Sequence, residues 1–465
     1  MRDIRLDSPQ QKKQNFFGRI GTKWSWYAMA FLWTMFALNA NMRTWAIGSL
    51  QPAIVNEFQV DPTTIGLFAG LITLSQGIIA IPVSHWSDKK AGWRRKSRYL
   101  PIVIGYVALS LMTGINILTV GLLGVFILQF LQKAFSGSGE ALEVTAITEW
   151  WPVEKRGFAQ GLHHSAYPWG TFIGGLVIAA MLGAIGSENW RVIYLTLPLL
   201  AIPVMIGYWK FSSAKNYEKF SQATVARGET VPVGHGVTEA APKGAVKRAL
   251  KNPNIVITSF VNGIALAVYT GVSFLLPLYI VFVAGFSVAE TAALSVVFTL
   301  TGGVGQIVWG SVSDKMGRKL TLIILFVWLT VGLVSLQYIG ISIIFLIVLQ
   351  LFLGLALNGV YPVLFAMSGD SSEPGAIGLA IGLNITGQMI AAAGPVTVGI
   401  LVAAGGGFEN PTGYVWALLI MAASMLMCAL LMTFFTRETI GWFRKHDRAL
   451  VSAKSCLHGP LAKMK

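Results

Sequence analysis

Charged positions along the chain are gathered between long apolar blocks. Residues 25–42 hold no charge, and further blocks lie near 64–84, 99–118, 119–139, 155–182, 192–209, 254–281, 291–312, 320–336, 341–367, 376–401 and 413–436. Several reach the ~20 residues that a helix needs to cross about 30 Å of hydrocarbon, so the pattern predicts an all-α membrane protein with twelve transmembrane helices. The segment Met1–Lys23 is long and mixed, no small-residue cleavage pattern follows it, and more spans come after. The first block is therefore expected to remain as helix one instead of leaving as a signal peptide.

Composition agrees with the pattern. Of 465 residues 54% are hydrophobic and 12% charged, against about 25% charged in a soluble domain, too few to cover a water-exposed surface. The net charge of +15 would suggest nucleic acid in a polar protein, but the basic residues alternate with apolar blocks instead of lining one face, which argues against a nucleic-acid partner. Two cysteines, Cys428 and Cys456, exclude a disulfide scaffold.

The connections set an expected orientation. Lys89, Lys90, Arg94, Arg95, Lys96 and Arg98 follow the second block, and Lys210, Lys215, Lys219, Lys243, Lys247, Arg248 and Lys251 follow the sixth. The opposite loops carry Glu57, Asp61, Glu188, Glu290 and Glu409, with Arg191 as a local exception placed to reach the headgroups. Basic loops stay cytoplasmic. The expected organisation is a cytoplasmic segment 1–23, a six-helix bundle 24–209, a cytoplasmic linker 210–252, a second bundle 253–436 and a cytoplasmic tail 437–465. The protein is expected in the cytoplasmic membrane, its spans among membrane lipids and its basic tail on the cytoplasmic side by the same positive-inside rule.

A short signature recurs after the second span of each half. It reads Asp88-Lys89-Lys90-Ala91-Gly92-Trp93-Arg94-Arg95-Lys96 in the first and Asp314-Lys315-Met316-Gly317-Arg318-Lys319 in the second. With six spans, a basic linker and six spans, the chain resembles the major facilitator superfamily of secondary transporters over essentially its whole length, which implies two pseudo-symmetric six-helix bundles. In that family the signature is a charge-relay latch, which assigns gating to Asp88, Arg94, Arg95, Asp314 and Arg318. An acidic and basic loop at a helix end can pair with a neighbouring helix end in one packing and release it in another. Asp370 and Glu373, after the tenth block, are the expected latch partners of the Asp314–Arg318 loop. The first copy departs from the common form, with Lys90-Ala91 ahead of Gly92 and Trp93 ahead of the arginines.

Ionisable groups inside spans mark sites. Arg43, in Asn39-Ala40-Asn41-Met42-Arg43, has a guanidinium whose fork clamps a carboxylate, sulfonate or phosphonate. This frame is similar to the anion:cation symporter branch of the superfamily, which implies that Asn39 and Arg43 contact the substrate; the acidic position before the arginine is here Met42. Glu140 and Glu143, three residues apart, share a helix face, and two carboxylates in a dry cavity resist joint ionisation, a device for proton coupling. Glu140 lies about 12–15 Å inside the helix, counted from Trp150 at 1.5 Å per residue. His163 and His164 titrate in the useful range, and one of them is expected to face the cavity with Glu140. Tyr167 is a candidate to line the cavity. The family's cavity helices point to Tyr269, Asn358 and Tyr361, with Asn262 and Asn384 as further polar candidates.

The resulting expectation is alternating access with proton-coupled symport of a small organic anion, a carboxylate, sulfonate, phosphonate or sugar acid. Anion exchange in the same fold is the first alternative and export of drugs or metabolites the second. The glycine runs lack a Gly-Lys-Ser/Thr phosphate loop, the histidines lack a third metal ligand nearby, and no reactive constellation converges. No cofactor, metal, catalytic role or obligate protein partner is expected.

Overall fold

The computed structural model describes residues 20–42, 44–45, 48–79, 83, 86–87, 90–115, 121–152, 155–232, 244–373 and 377–440. Arg43 and Asp88 lie outside the described residues. Before the linker the helices are α1 Lys23–Met42, α2 Gln51–Phe58, α3 Pro62–Ile78, α4 Lys96–Gly114, α5 Leu122–Glu149, α6 Arg156–His164, α7 Ala166–Ile185, α8 Arg191–Thr196 and α9 Ala201–Phe211. The linker contributes α10 Ala214–Val225 and α11 Ala245–Ala249. After it come α12 Pro253–Leu278, α13 Val288–Leu294, α14 Val297–Met316, α15 Arg318–Ser335, α16 Ile343–Leu357, α17 Val360–Asp370, α18 Ile377–Gly387, α19 Ala393–Ala404 and α20 Pro411–Phe435.

The protein is an all-α, multi-pass membrane protein. Among the described residues, eight helical stretches are long and apolar enough to cross a bilayer, from Phe158–Ile185 to Pro411–Phe435. The first four apolar blocks also fold as helices, of which α1, α3 and α4 have 20, 17 and 19 residues among those described. Helix α5 has 28 residues and runs ten beyond the apolar block that predicted it, taking in Lys133, Glu140, Glu143 and Glu149. Large apolar side chains such as Leu71, Ile104, Val331, Ile344 and Phe434 stand exposed, the surface a bilayer would cover.

Several helix starts follow directly from the sequence. Asp61, Asn252 and Asn410 each cap a helix through the side-chain oxygen, and each is followed by proline, whose missing N–H and fixed φ suit the first helical position. Ser287 and Glu290 close a reciprocal capping box on α13.

Within each half, α4 packs on α5, α14 on α16 and α15 on α20. Across the halves α3 lies on α19, and α7 on α13 and α14. The first crossing depends on glycine: a Cβ on Gly66 would stand 2.8 Å from the Pro395 carbonyl oxygen and 2.9 Å from the Gly399 Cα. Small residues allow backbones in a membrane to approach this closely. Asp61 precedes Gly66 by five residues, so the crossing sits toward the end of the molecule that carries the acidic loops.

Candidate functional site

Helix α5 organises the N-terminal half. Its Gln132 amide donates to the Met42 carbonyl at 3.3 Å, and its Ser136 carbonyl accepts from Asn39 Nδ2 at 3.1 Å, so this side faces α1. Gly137 faces Gln76 at the end of α3. At about 100° per residue, Lys133 and Glu140 share one stripe, between the side that meets α1 and the side that meets α3, about 10 Å apart along the axis. Lys133 is 5% exposed and Glu140 half-buried. The sequence reading missed Lys133 because its apolar neighbours absorbed it into a block; a single lysine between Phe130 and Phe135 was the available signal. Asn39 is fully buried, its amide nitrogen used on Ser136.

Glu140 and Glu143 do not form a facing carboxylate pair. The 60° turn between them carries Glu143 into the bundle, where it is fully buried, accepts a short hydrogen bond from the Tyr99 hydroxyl of α4, and lies 4.0 Å from Nε2 of His163 on α6. The His163 ring is fully buried and stacks on Phe36 of α1 at 4.7 Å. Neither of its nitrogens has a hydrogen-bond partner among the described residues. His164 points elsewhere, half-buried, with Nδ1 2.9 Å from the Gln160 carbonyl oxygen. The structure thus brings Glu143 beside His163.

In the C-terminal half most of the predicted polar candidates brace helices. Asn262 donates to the Asn384 carbonyl at 3.0 Å, and Asn384 is fully buried near Thr258, which ties α12 to α18. Asn358, 1% exposed, packs against Gly302 of α14. The Tyr361 hydroxyl donates to the Ala265 carbonyl at 3.3 Å. Each of these side chains thus ties its helix to a neighbour. Tyr269 does meet the other half: its ring lies 6.1 Å from that of Tyr167 and 6.4 Å from that of Tyr361. Two residues beyond Tyr167, the Trp169 indole donates to the Leu300 carbonyl of α14 at 3.1 Å.

At the basic-loop end the two signature copies make parallel contacts. Arg95 donates to both Glu149 oxygens, at 2.8 and 2.7 Å, and to Ser87 at 2.6 Å. Arg318 holds Asp314 at 2.6 Å and Asp370 at 3.2 Å and donates a short bond to Ser313. The extra residues of the first copy are taken up by a tight turn over Gly92–Arg95, in which Gly92 has φ +57°. Arg94 is exposed and lies over the Trp93 ring, and among the described residues it is Arg95 that grips an acid. Glu149 is the counterpart of Asp370. Glu373 departs from expectation: it binds Arg248 of the linker at 2.8 and 2.9 Å, and that hydrogen bonding holds its carboxyl below the usual range.

Two more contacts close the ends. Glu438 accepts the Lys319 and Leu320 N–H groups at 3.2 and 3.3 Å, and Thr439 donates to the same Asp370 oxygen as Arg318 at 3.2 Å. At the acidic-loop end Arg191 does not reach outward. Burial would raise the Glu57 carboxyl, but hydrogen bonds from Arg191 and Trp190, 2.6 Å each, hold it below its ordinary value.

The arrangement offers binding, charge pairing and movement. Residues 32–297 and 284–459 match the Major Facilitator Superfamily. Over 220 residues the chain is 26% identical to the probable sulfoacetate transporter SauU of Cupriavidus necator, covering 46% of this chain and 50% of that one. Over 339 residues it is 26% identical to the glucose-6-phosphate exchanger SLC37A2 of Mus musculus, covering 64% and 65%. The chain thus spans about half to two-thirds of these relatives. In fold it is similar to a bacterial homologue of the human lysosomal transporter Spinster in an inward-facing, occupied conformation, with a TM-score of 0.66, 14% identity, and coverage of 89% of this chain and 97% of that one.

Proposed function

The chain belongs to the Major Facilitator Superfamily, and from that premise we propose that it exchanges small organic anions across a membrane by alternating access. It is a transporter and not an enzyme. The observation that carries the anion reading is Lys133, a lysine 5% exposed within the 28-residue helix α5, which we read as a span. A cation in that setting is costly unless it serves a partner or a pathway. Arg43 supplies the second positive group, whose fork suits an oxyanion.

Exchange is supported by the relatives. The solutes in their names, sulfoacetate and glucose 6-phosphate, both carry oxyanion groups. Exchange also fits the charges: a solute's negative charge adds to the surroundings of Lys133 and Arg43, and a loaded site turns at lower electrostatic cost than an emptied one. The carrier then turns loaded in both directions. Proton-coupled symport is the second reading, favoured by Glu140, half-buried on the Lys133 stripe. Protonating Glu140 changes the site's charge by one, as net symport requires.

The proposed architecture is twelve spans in two six-helix bundles, 24–209 and 253–436, joined by a cytoplasmic linker, with both termini cytoplasmic and the bundles rocking about the Arg43 and Lys133 region. In this scheme Arg95 with Glu149, and Arg318 with Asp314 and Asp370, hold the basic-loop ends of the helices in register as the bundles move.

Purified protein in liposomes tests the reading, with labelled sulfoacetate outside and unlabelled sulfoacetate or glucose 6-phosphate inside. Uptake that requires the internal anion, and falls at least tenfold in Lys133→Gln, is the expected result. Accumulation driven by a proton gradient into anion-free liposomes favours symport, and indifference to both anions removes the anion reading.

A further inference from the structure

We propose that Glu143 and His163 form a proton-operated latch, away from the solute path, that sets the geometry of the α6–α7 helix and through it the seal between the halves. The proposal rests on the carrier reading only in that the halves must move.

The geometry is poised between two states. Glu143 Oε1 is engaged by Tyr99, while Oε2 lies 4.0 Å from His163 Nε2, about 1 Å beyond a charge-assisted hydrogen bond of about 2.8 Å. Both His163 nitrogens are buried without a hydrogen-bond partner among the described residues, a condition that favours closing the gap. One proton taken from water and held between Oε2 and Nε2 joins the two side chains, and its release to water lets them part.

Other titratable groups surround the pair. Tyr99 and Tyr106 face it from α4, and Tyr208 from α9, with its ring 5.9 Å from that of Tyr99. On α6 the His164 ring lies 5.7 Å from that of His163. On α5, Glu140 is one turn before Glu143, and Glu149, paired to Arg95, follows about 9 Å along the axis. From α1 it meets the uncharged Phe36. Glu143 and His163 are thus the acid and base brought nearest together.

Helix connectivity supplies the output. His163 lies beside the point where helical bonding is interrupted, because Pro168 has no N–H to give the His164 carbonyl. Ser165, at the junction, is held by the Trp33 indole at 3.3 Å. One turn beyond His163, Tyr167 meets Tyr269, and Trp169 bonds Leu300. Drawing His163 toward Glu143 moves α6 against α5 and turns the start of α7, which carries both contacts with the other half. Proton binding therefore changes how the halves meet without touching the solute.

The test needs no solute. Spin labels at Ser97→Cys and Lys315→Cys, both exposed sites, in a Cys428→Ala/Cys456→Ala background, report the distance between the basic-loop ends by pulsed EPR. As pH is lowered from neutral into the acid range the distance distribution is expected to shift, and the shift to be lost in Glu143→Gln and in His163→Gln. In the same range a 15N-histidine resonance absent from His163→Gln is expected to titrate, with its midpoint moved in Glu143→Gln. A distance distribution in the otherwise unmutated carrier that ignores pH overturns the proposal, as does a shift that survives in both variants. Because neither measurement involves transport, a failure of the anion reading leaves this result standing, and the reverse also holds.

Discussion

Arg95 grips Glu149 through two parallel hydrogen bonds, with 1% of the arginine and 6% of the glutamate side chain exposed. In the other half the counterpart pair, Arg318 with Asp370, leaves the acid 31% exposed, and the Asp314 that Arg318 also holds is 62% exposed. The two copies of one motif therefore differ in energetics. Breaking a buried pair by removing one partner costs about 3–5 kcal/mol, whereas an exposed pair is worth about 0–1 kcal/mol. Glu149→Gln is expected to lower the unfolding temperature in detergent far more than Asp314→Asn, and Arg95→Met/Glu149→Leu to recover part of the loss. Equal shifts for the two single variants would refute the asymmetry.

Lys133→Gln is expected to reduce anion exchange at least tenfold while the protein remains monodisperse on gel filtration. Lys133→Arg should keep a measurable fraction, because the charge survives although the reach and the planar fork differ. A Gln variant that transports normally would leave the buried lysine as a packing residue.

The contact between Glu57 and Arg191 predicts a pH dependence at the acidic-loop end. The carboxyl is held below its ordinary 4.5 in the folded protein, so its contribution is complete above the unfolded value and disappears as pH falls through the folded one. The unfolding temperatures of the parent protein and Glu57→Gln should differ most near neutral pH and converge as pH drops below the ordinary carboxylate range. Curves that stay parallel into acid would count against the contact.

Gly66 and Gly399 meet where α3 crosses α19. Gly399→Val should pry this crossing apart and reduce transport at least tenfold, with helix content by circular dichroism unchanged. Normal transport by that variant would mean that the crossing tolerates separation.

How far the sequence carried depended on whether information was local. Helix starts at Asp61-Pro62, Asn252-Pro253 and Asn410-Pro411 were readable because cap and proline sit in adjacent positions. Asp370 was readable as a partner of the Arg318 loop because the motif recurs. Lys133 was hidden by averaging over a block. The spacing of Glu140 and Glu143 fixed one helical turn but not what lies beyond it. Tyr99, which receives Glu143, is 44 residues away, and only helix packing brings the two together. Asn384 and Asn358 read as solute ligands because a polar residue in a span looks the same from sequence whether it faces a cavity or braces a neighbour. Glu373 was misplaced because its partner, Arg248, lies in the linker.

Asp370 is held by Arg318 and by Thr439, while Glu438 caps the helix that begins at Arg318. Thr439 and Glu438 follow α20, the last described helix. During synthesis the ribosome therefore finishes every one of these helices before the C-terminal latch has all its members. A nascent chain stalled in α20 presents Arg318 on Asp370 without Thr439 and leaves the start of α15 without Glu438. Completion of this corner thus marks, within the fold itself, that translation has passed α20.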